Sequence, residues 1–240
     1  MLYGLIVQRL PHAFVYRRSG KLAHLLVPMV LALASPFTAA AQTSALAAGA
    51  AIAALGTVPG RAACAACHLV TGAGQPDVGI PRLAGLTKSY IAAQLDYFAS
   101  GARQNAAMAP YAKALTPAQR NQVAAYFASL PLPDASDPLP TAAATVARGE
   151  RIFHNGDGVR GLLACSQCHG PSGEGVGDFS PRLAGQSGAY VLSQLGDWQS
   201  GALRDPKGIY MRSVAGHLTE PQMEAVAAYV ALLPNKRGKP

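Results

Sequence analysis

The sequence predicts an all-α protein: two small tandem domains joined by a Pro-rich linker, after an N-terminal export segment. Three observations carry this prediction. The pattern Cys64-Ala-Ala-Cys-His68 returns as Cys165-Ser-Gln-Cys-His169. The residues around one copy align with those around the other at many spaced positions. Apolar residues recur with the 3.6-residue period of an amphipathic helix, and no strand-like alternation competes.

The export segment is read first. Arg9, Arg17, Arg18 and Lys21 precede the apolar run Leu22 to Ala34, followed by Ser35-Pro36 and the small residues Thr38-Ala-Ala-Ala41. A basic stretch, a short apolar core and an Ala-x-Ala site make a secretory signal over residues 1–41, with cleavage expected after Ala41. The alternative is a retained anchor, but His24 and Pro28 interrupt a run already short of the roughly 20 residues a span needs. Cleavage would remove four of the twenty basic residues and none of the twelve acidic ones, leaving +4 in place of +8. Only the tail Lys236-Arg237-Gly-Lys239 forms a basic run, so nucleic acid is excluded as a partner.

The repeat follows. Pro81-Arg-Leu-Ala-Gly85 recurs as Pro181-Arg-Leu-Ala-Gly185. Tyr90, Gln94-Leu95 and Ser100-Gly101 recur as Tyr190, Gln194-Leu195 and Ser200-Gly201, and Gly49 matches Gly149. Met108, Ala112, Leu115-Thr116 and Tyr126 match Met211, Ala215, Leu218-Thr219 and Tyr229, the offset moving from 100 to 103 through an insertion near Asp205–Gly208. One domain of roughly 90 residues has been duplicated. The bounds are 42–132 for the first domain, 133–145 for the linker, within the Pro- and Asp-rich stretch from Pro131, and 146–240 for the second domain.

Each copy reads as short helices. Ile91, Leu95 and Phe98 form one apolar stripe, Val191, Leu195 and Trp198 its counterpart, with Thr87 and Ser187 as N-caps and Ser-Gly as the stop. The last helix of each copy opens on a Thr-x-x-Gln capping box, Thr116…Gln119 and Thr219…Gln222. Its stripe is Val123, Tyr126, Phe127 and Leu130 in one copy and Val226, Tyr229, Val230 and Leu233 in the other. Domains this small bury little core and need a staple.

All four cysteines lie in the two motifs. A zinc site wants four ligands in a closed tetrahedron, and the mature first copy has no histidine beyond His68 to complete one. A redox dithiol belongs near a strand–helix junction that is absent here, and two disulfides would leave the adjacent histidines without a role. Haem attachment uses every residue: Cys64 and Cys67, like Cys165 and Cys168, bond the two vinyl groups, and His68 or His169 ligates the iron.

A haem then demands a ligand on its other face. Met108 is the only methionine of the mature first copy, 40 residues past His68, and Met211 lies 42 past His169 in the matching context M-x-x-x-A-x-x-L-T. Met223, aligned with Arg120, competes in the second copy, as do His154 and His217. None of the three has a counterpart in the first copy.

With these residues in place, the chain resembles the dihaem cytochrome c4 family, two class I cytochrome c domains in tandem, from about residue 45 to 235. The resemblance implies two covalent haem c groups, His68/Met108 and His169/Met211 ligation, and haems facing each other across the domain seam. It implies that the Pro81 and Pro181 carbonyls orient the proximal histidines, and that Gly49 and Gly149 let the first helix cross Tyr126 and Tyr229 closely. Leu69 departs from it, since the second copy has Gly170 and the family glycine; the surface beside the first haem should be more apolar. Arg82 and Arg182 are read either as propionate partners or as solvated loop arginines, and Trp198 as core.

The expected function is that of a periplasmic carrier of single electrons between respiratory donors and a terminal acceptor such as an oxidase. Its partners would be redox proteins, among them a quinol-oxidising complex, with loose membrane association. The alternatives are the cytochrome subunit of a dehydrogenase oxidising sulfide or an alcohol, and a dihaem peroxidase. The paired methionines and short chain argue against the last.

Overall fold

The structure is a computed structural model and describes residues 36–57, 62–133, 141–178, 180–202 and 208–235. Residues 1–35 of the expected export segment lie outside these, as do 134–140 of the linker, most of the insertion and the basic tail. Among the described residues the chain is helical, with only isolated bridges in its loops. None of these helices is long and apolar enough to cross a membrane.

The first domain holds α1 (Pro36–Leu55), the motif helix α2 (Cys64–His68), α3 (Lys88–Ser100), α4 (Met108–Ala114) and α5 (Pro117–Ser129). The second repeats the order with α6 (Ala143–Asn155), α7 (Ser166–His169), α8 (Gly188–Gln199), α9 (Ile209–Gly216) and α10 (Glu220–Leu232). Here α1 extends upstream through the residues read as the cleavage region, and α6 begins inside the stretch assigned to the linker.

The starts of these helices are where the side chains put them. Thr87 Oγ1 accepts from the Tyr90 N–H at 3.2 Å, and Ser187 Oγ from the Tyr190 N–H at 3.2 Å, so each N-cap satisfies a donor the helix leaves orphaned. Thr116 and Gln119 close a reciprocal capping box. At α10 the Gln222 side chain takes both the N–H and the hydroxyl of Thr219.

Two cores form, one per domain. Ile91, Leu95 and Phe98 meet Val123, Ala124 and Phe127 in the first, and Ile152, Phe153, Val191 and Leu195 meet Val226 and Val230 in the second. The first and last helix of each domain cross at a glycine. A Cβ on Gly49 would overlap the Gln122 carbonyl oxygen and lie 2.9 Å from Tyr126 Cβ; one on Gly149 would overlap the Ala225 carbonyl oxygen and lie 2.8 Å from Tyr229 Cβ. Only hydrogen fits at either crossing.

The domains meet along a polar seam built twice over. Ser187 Oγ, besides capping α8, donates to the Pro76 carbonyl of the first domain at 3.0 Å. Reciprocally, Ser89 near the start of α3 donates to Asp178 Oδ1 of the second at 2.5 Å. The same face at the start of α3 and of α8 thus meets the loop that follows the other domain's motif helix.

Candidate haem sites

In each domain the proximal histidine is buried and oriented by a backbone carbonyl. His68 and His169 are both 7 % exposed. Nδ1 of His68 lies 3.1 Å from the Pro81 oxygen, and Nδ1 of His169 2.9 Å from that of Pro181. A carbonyl only accepts, so Nδ1 carries the proton and Nε2 presents a free lone pair, the tautomer a metal ligand requires. Burial holds both imidazoles below the usual histidine range, against the opposing effect of the proline carbonyls.

The cysteines flank these histidines, and none of the four is in a disulfide. Burial pushes the Cys64 thiol up and that of Cys165 up to about 11, with backbone hydrogen bonding opposing the rise and the second cysteine of each motif adding a little to it. Reactive dithiols and thiolate metal ligands need the opposite shift. Among the described residues no group of three or more His, Cys, Asp or Glu side chains is placed to hold a metal ion. The zinc reading has no geometry here.

In the first domain, Cys64, Cys67, His68 and Met108 line one cavity of about 340 Å³, walled by Leu95, Phe98, Val123 and Phe127 among others. Met108 opens α4, and Asn105 Oδ1 accepts from the Ala107 and Met108 N–H groups at 3.0 and 2.9 Å, which fixes its approach. A concave apolar space with two thiols, an imidazole and a thioether on its walls fits a porphyrin. In the second domain Cys165 and Met211 pack against one core, and His169 is buried.

The competitors in the second domain have other work. Met223 is buried in the core. In the first domain Arg120, at the matching position, donates to the Ala112 and Leu115 carbonyls at 3.2 and 2.6 Å and pairs with Asp96. The equivalent carbonyls of Ala215 and Leu218 are taken by Gln199 Nε2, from a different helix, at 3.2 and 2.8 Å. That exchange frees position 223 to be apolar. His154 hydrogen-bonds the Tyr229 hydroxyl at 2.9 Å, and His217 Nδ1 donates to the Ser213 carbonyl at 2.7 Å on the surface.

Neither Arg82 nor Arg182 is the solvated loop arginine of one reading, and Arg182 lines the first cavity. Arg82 is 2 % exposed, so it is not a solvated loop residue. Its guanidinium donates to the Ala84 carbonyl of its own domain and to the Ala184 and Gly185 carbonyls of the other, at 2.9 and 3.4 Å. It clamps the seam, and its pKa falls to about 10 through burial and the nearby Arg182. Arg182 is buried as well and reaches Asn235 Oδ1 at 3.3 Å.

Arg103 escaped the sequence reading. It is 6 % exposed, lines the first cavity, stacks over Phe98, and donates to Gln94, to Gln194 and to the Tyr190 hydroxyl of the second domain. All these partners are neutral. The signal was asymmetry, for the aligned residue of the second copy is Leu203.

Leu69 also carries more than its apolar surface. It follows the motif helix with φ 62° and ψ 158°, where Gly170 has φ 83° and ψ 152°. That region is close to glycine-only and costs a branched side chain on the order of 1–3 kcal/mol. Leu69 is substantially exposed and loses little burial on removal. Leu69→Gly is therefore expected to raise the stability of the first domain by about 1 kcal/mol, allowing for glycine's greater unfolded entropy. Denaturant unfolding of the holoprotein checks it; an unchanged or lower midpoint would show that the backbone there is relaxed.

The cytochrome c family model matches the chain twice, at residues 47–131 and 146–234. Fold, doubled motif and match define a c-type cytochrome with two covalently bound haem c groups, an electron-transfer protein rather than an enzyme. The chain belongs to the dihaem cytochrome c4 family: it is 34% identical over 172 residues to cytochrome c4 of Pseudomonas aeruginosa, covering 70% of this chain and 83% of that one. It superposes on reduced recombinant cytochrome c4 from Pseudomonas stutzeri with a TM-score of 0.65 at 30% identity, covering 79% of this chain and 98% of that chain. It is also 46% identical over 177 residues to the thiosulfate dehydrogenase electron acceptor of Thiomonas intermedia, 73% of this chain and 81% of that protein. Thiosulfate dehydrogenase from Marichromatium purpuratum gives a TM-score of 0.72 at 38% identity, covering 79% of this chain, which spans 40% of that longer one.

Proposed function

We propose that this chain is the dihaem acceptor of electrons released by a thiosulfate-oxidising dehydrogenase, working in the periplasm and passing them singly to a downstream respiratory acceptor. The similarity to a thiosulfate dehydrogenase electron acceptor, at 46% identity, carries this reading. It refines the expected dehydrogenase subunit, with thiosulfate in place of sulfide or an alcohol. The general carrier between respiratory donors and an oxidase is the second reading, favoured by the near-complete coverage of a cytochrome c4 chain.

Cys64 and Cys67 would anchor the first haem and Cys165 and Cys168 the second, with His68/Met108 and His169/Met211 as the axial pairs. When bound, each haem supplies a one-electron iron couple, which methionine ligation biases towards the ferrous state. The chain does the rest. With His68, Met108, His169 and Met211 as iron ligands, both irons would be held on both sides by the chain itself, leaving no site for substrate chemistry. Leu95, Phe98 and Phe127 keep water from the first cavity, and a dry, preformed pocket limits reorganisation when charge changes. Arg103, a buried cation on neutral partners, is the candidate counter-charge for an ionised propionate.

Rapid mixing of the oxidised holoprotein with a thiosulfate dehydrogenase and thiosulfate tests the proposal. Both haems are expected to reduce within the enzyme's turnover time, with saturation in the cytochrome at micromolar levels. Reduction no faster than that of an unrelated class I cytochrome c would sink this reading in favour of the general carrier.

A further inference from the structure

The peptide group joining Pro81 to Arg82 is hydrogen-bonded from two domains at once. Its carbonyl accepts from Nδ1 of His68 at 3.1 Å. Its N–H donates to Oε1 of Gln186, a residue of the second domain, at 2.8 Å. Gln186 is 4 % exposed and held at both ends of its amide. Its Nε2 donates to the Arg82 carbonyl at 3.0 Å, and its Oε1 also accepts from the Ser187 N–H at 3.0 Å. Rotating the amide away would strand several buried polar groups, each costing the full desolvation penalty. The first copy has Leu86 at the matching position, and a leucine accepts nothing from the second haem's side of the seam.

We infer that Gln186 is a positioning residue through which the second domain sets the donor strength of His68 and lowers the reduction potential of the first haem. This rests on the reading of His68 as an iron ligand. An acceptor on a peptide N–H draws charge through the conjugated group onto its carbonyl oxygen, since linked hydrogen bonds polarise one another. The Pro81 oxygen then pulls harder on the Nδ1 proton, and the imidazole becomes a more basic ligand. A more basic ligand favours ferric over ferrous iron. Leu86 cannot make the reciprocal contact, so the two haems would differ although their ligand sets match.

Three measurements on the holoprotein test this. First, the wild type is examined by near-infrared absorbance and electron paramagnetic resonance. A first haem without histidine–methionine ligation would end the ligand reading, and this inference with it, before any variant is made. Second, Gln186→Met and Gln186→Leu are titrated by spectroelectrochemistry, with midpoints assigned from the axial methionine methyl resonances. The reduction equilibrium of the first haem is expected to move about threefold towards the ferrous form, and that of the second to stay in place. In the reduced protein the His68 Nδ1–H resonance should move upfield while that of His169 does not. A merely structural role gives the opposite sign, because a loosened seam admits water, which favours the more highly charged ferric site. An unchanged or lowered midpoint overturns the inference. Third, coupling is reciprocal, so in the wild type the Arg82 amide should exchange about threefold more slowly with ferric than with ferrous first haem. Exchange independent of oxidation state overturns the inference even if neither variant folds.

Discussion

Replacing Met108 by alanine is expected to turn the first haem from a low-spin to a high-spin ferric site and leave the second low-spin. The argument is one of supply. Among the described residues lining the first cavity, Met108 is the only methionine and His68, the other proposed ligand, the only histidine. The side chain arrives on the first residue of α4, which Asn105 locks in place, so shortening it leaves a gap that no neighbouring thioether can fill. The variant should bind carbon monoxide in its ferrous form at one haem of two. Its midpoint should fall on the order of 0.2 V, a fraction of the roughly 0.8 V that axial ligation spans. Met211→Ala should do the same to the second haem, because Met223 is committed to the core. Absorbance, carbon monoxide titration and potentiometry read all three effects. A Met108→Ala protein with two low-spin haems would remove Met108 from the ligand set.

Gly149→Ala is expected to cost about 3 kcal/mol or more, the upper end of what overpacking usually costs. The added methyl group meets the Ala225 carbonyl and Tyr229 Cβ, and neither is the movable end of a flexible side chain. Relief therefore requires α6 and α10 to separate, which opens the core around Phe153 and Val230, both fully buried. Gly49→Ala should act likewise through Gln122 and Tyr126 on the first domain. Denaturant unfolding followed by haem absorbance separates the two, since each variant should lower the transition of its own domain first. Losses under 1 kcal/mol would mean the crossings have slack.

Much of this was legible before any coordinates. The N-caps Thr87 and Ser187 and the apolar stripes follow from local patterns that each domain satisfies on its own, whereas the histidine–proline pairing came from the family resemblance. The resemblance to a known family added the crossing glycines. What escaped lies where one domain completes the other. Arg82 reads as a loop arginine because its three carbonyl acceptors are scattered over two loops, two of them about a hundred residues away. Gln186 and Arg103 show in sequence only as mismatches with Leu86 and Leu203, and a mismatch between repeats does not say what the odd residue touches. Leu69 was visible as a departure from glycine, but its positive φ was not, because a side chain in that region is a cost that no spacing records.

The exchange of Arg120 for Gln199 bears on how such a gene can change. Two copies of one domain invite recombination between them. Here the donor that satisfies the two carbonyls at the end of α4 sits on the last helix of one copy, and the donor for those at the end of α9 sits on the preceding long helix of the other. A crossover between these positions that kept Ala99 from the first copy and Met223 from the second would supply neither donor. Two carbonyls would be left unpaired, at about 1–3 kcal/mol each where they are buried. The reciprocal product would crowd Gln199 and Arg120 onto the same pair of oxygens. Divergence at two positions thus penalises recombination within the segment between them, one of the routes by which the number of repeats could change.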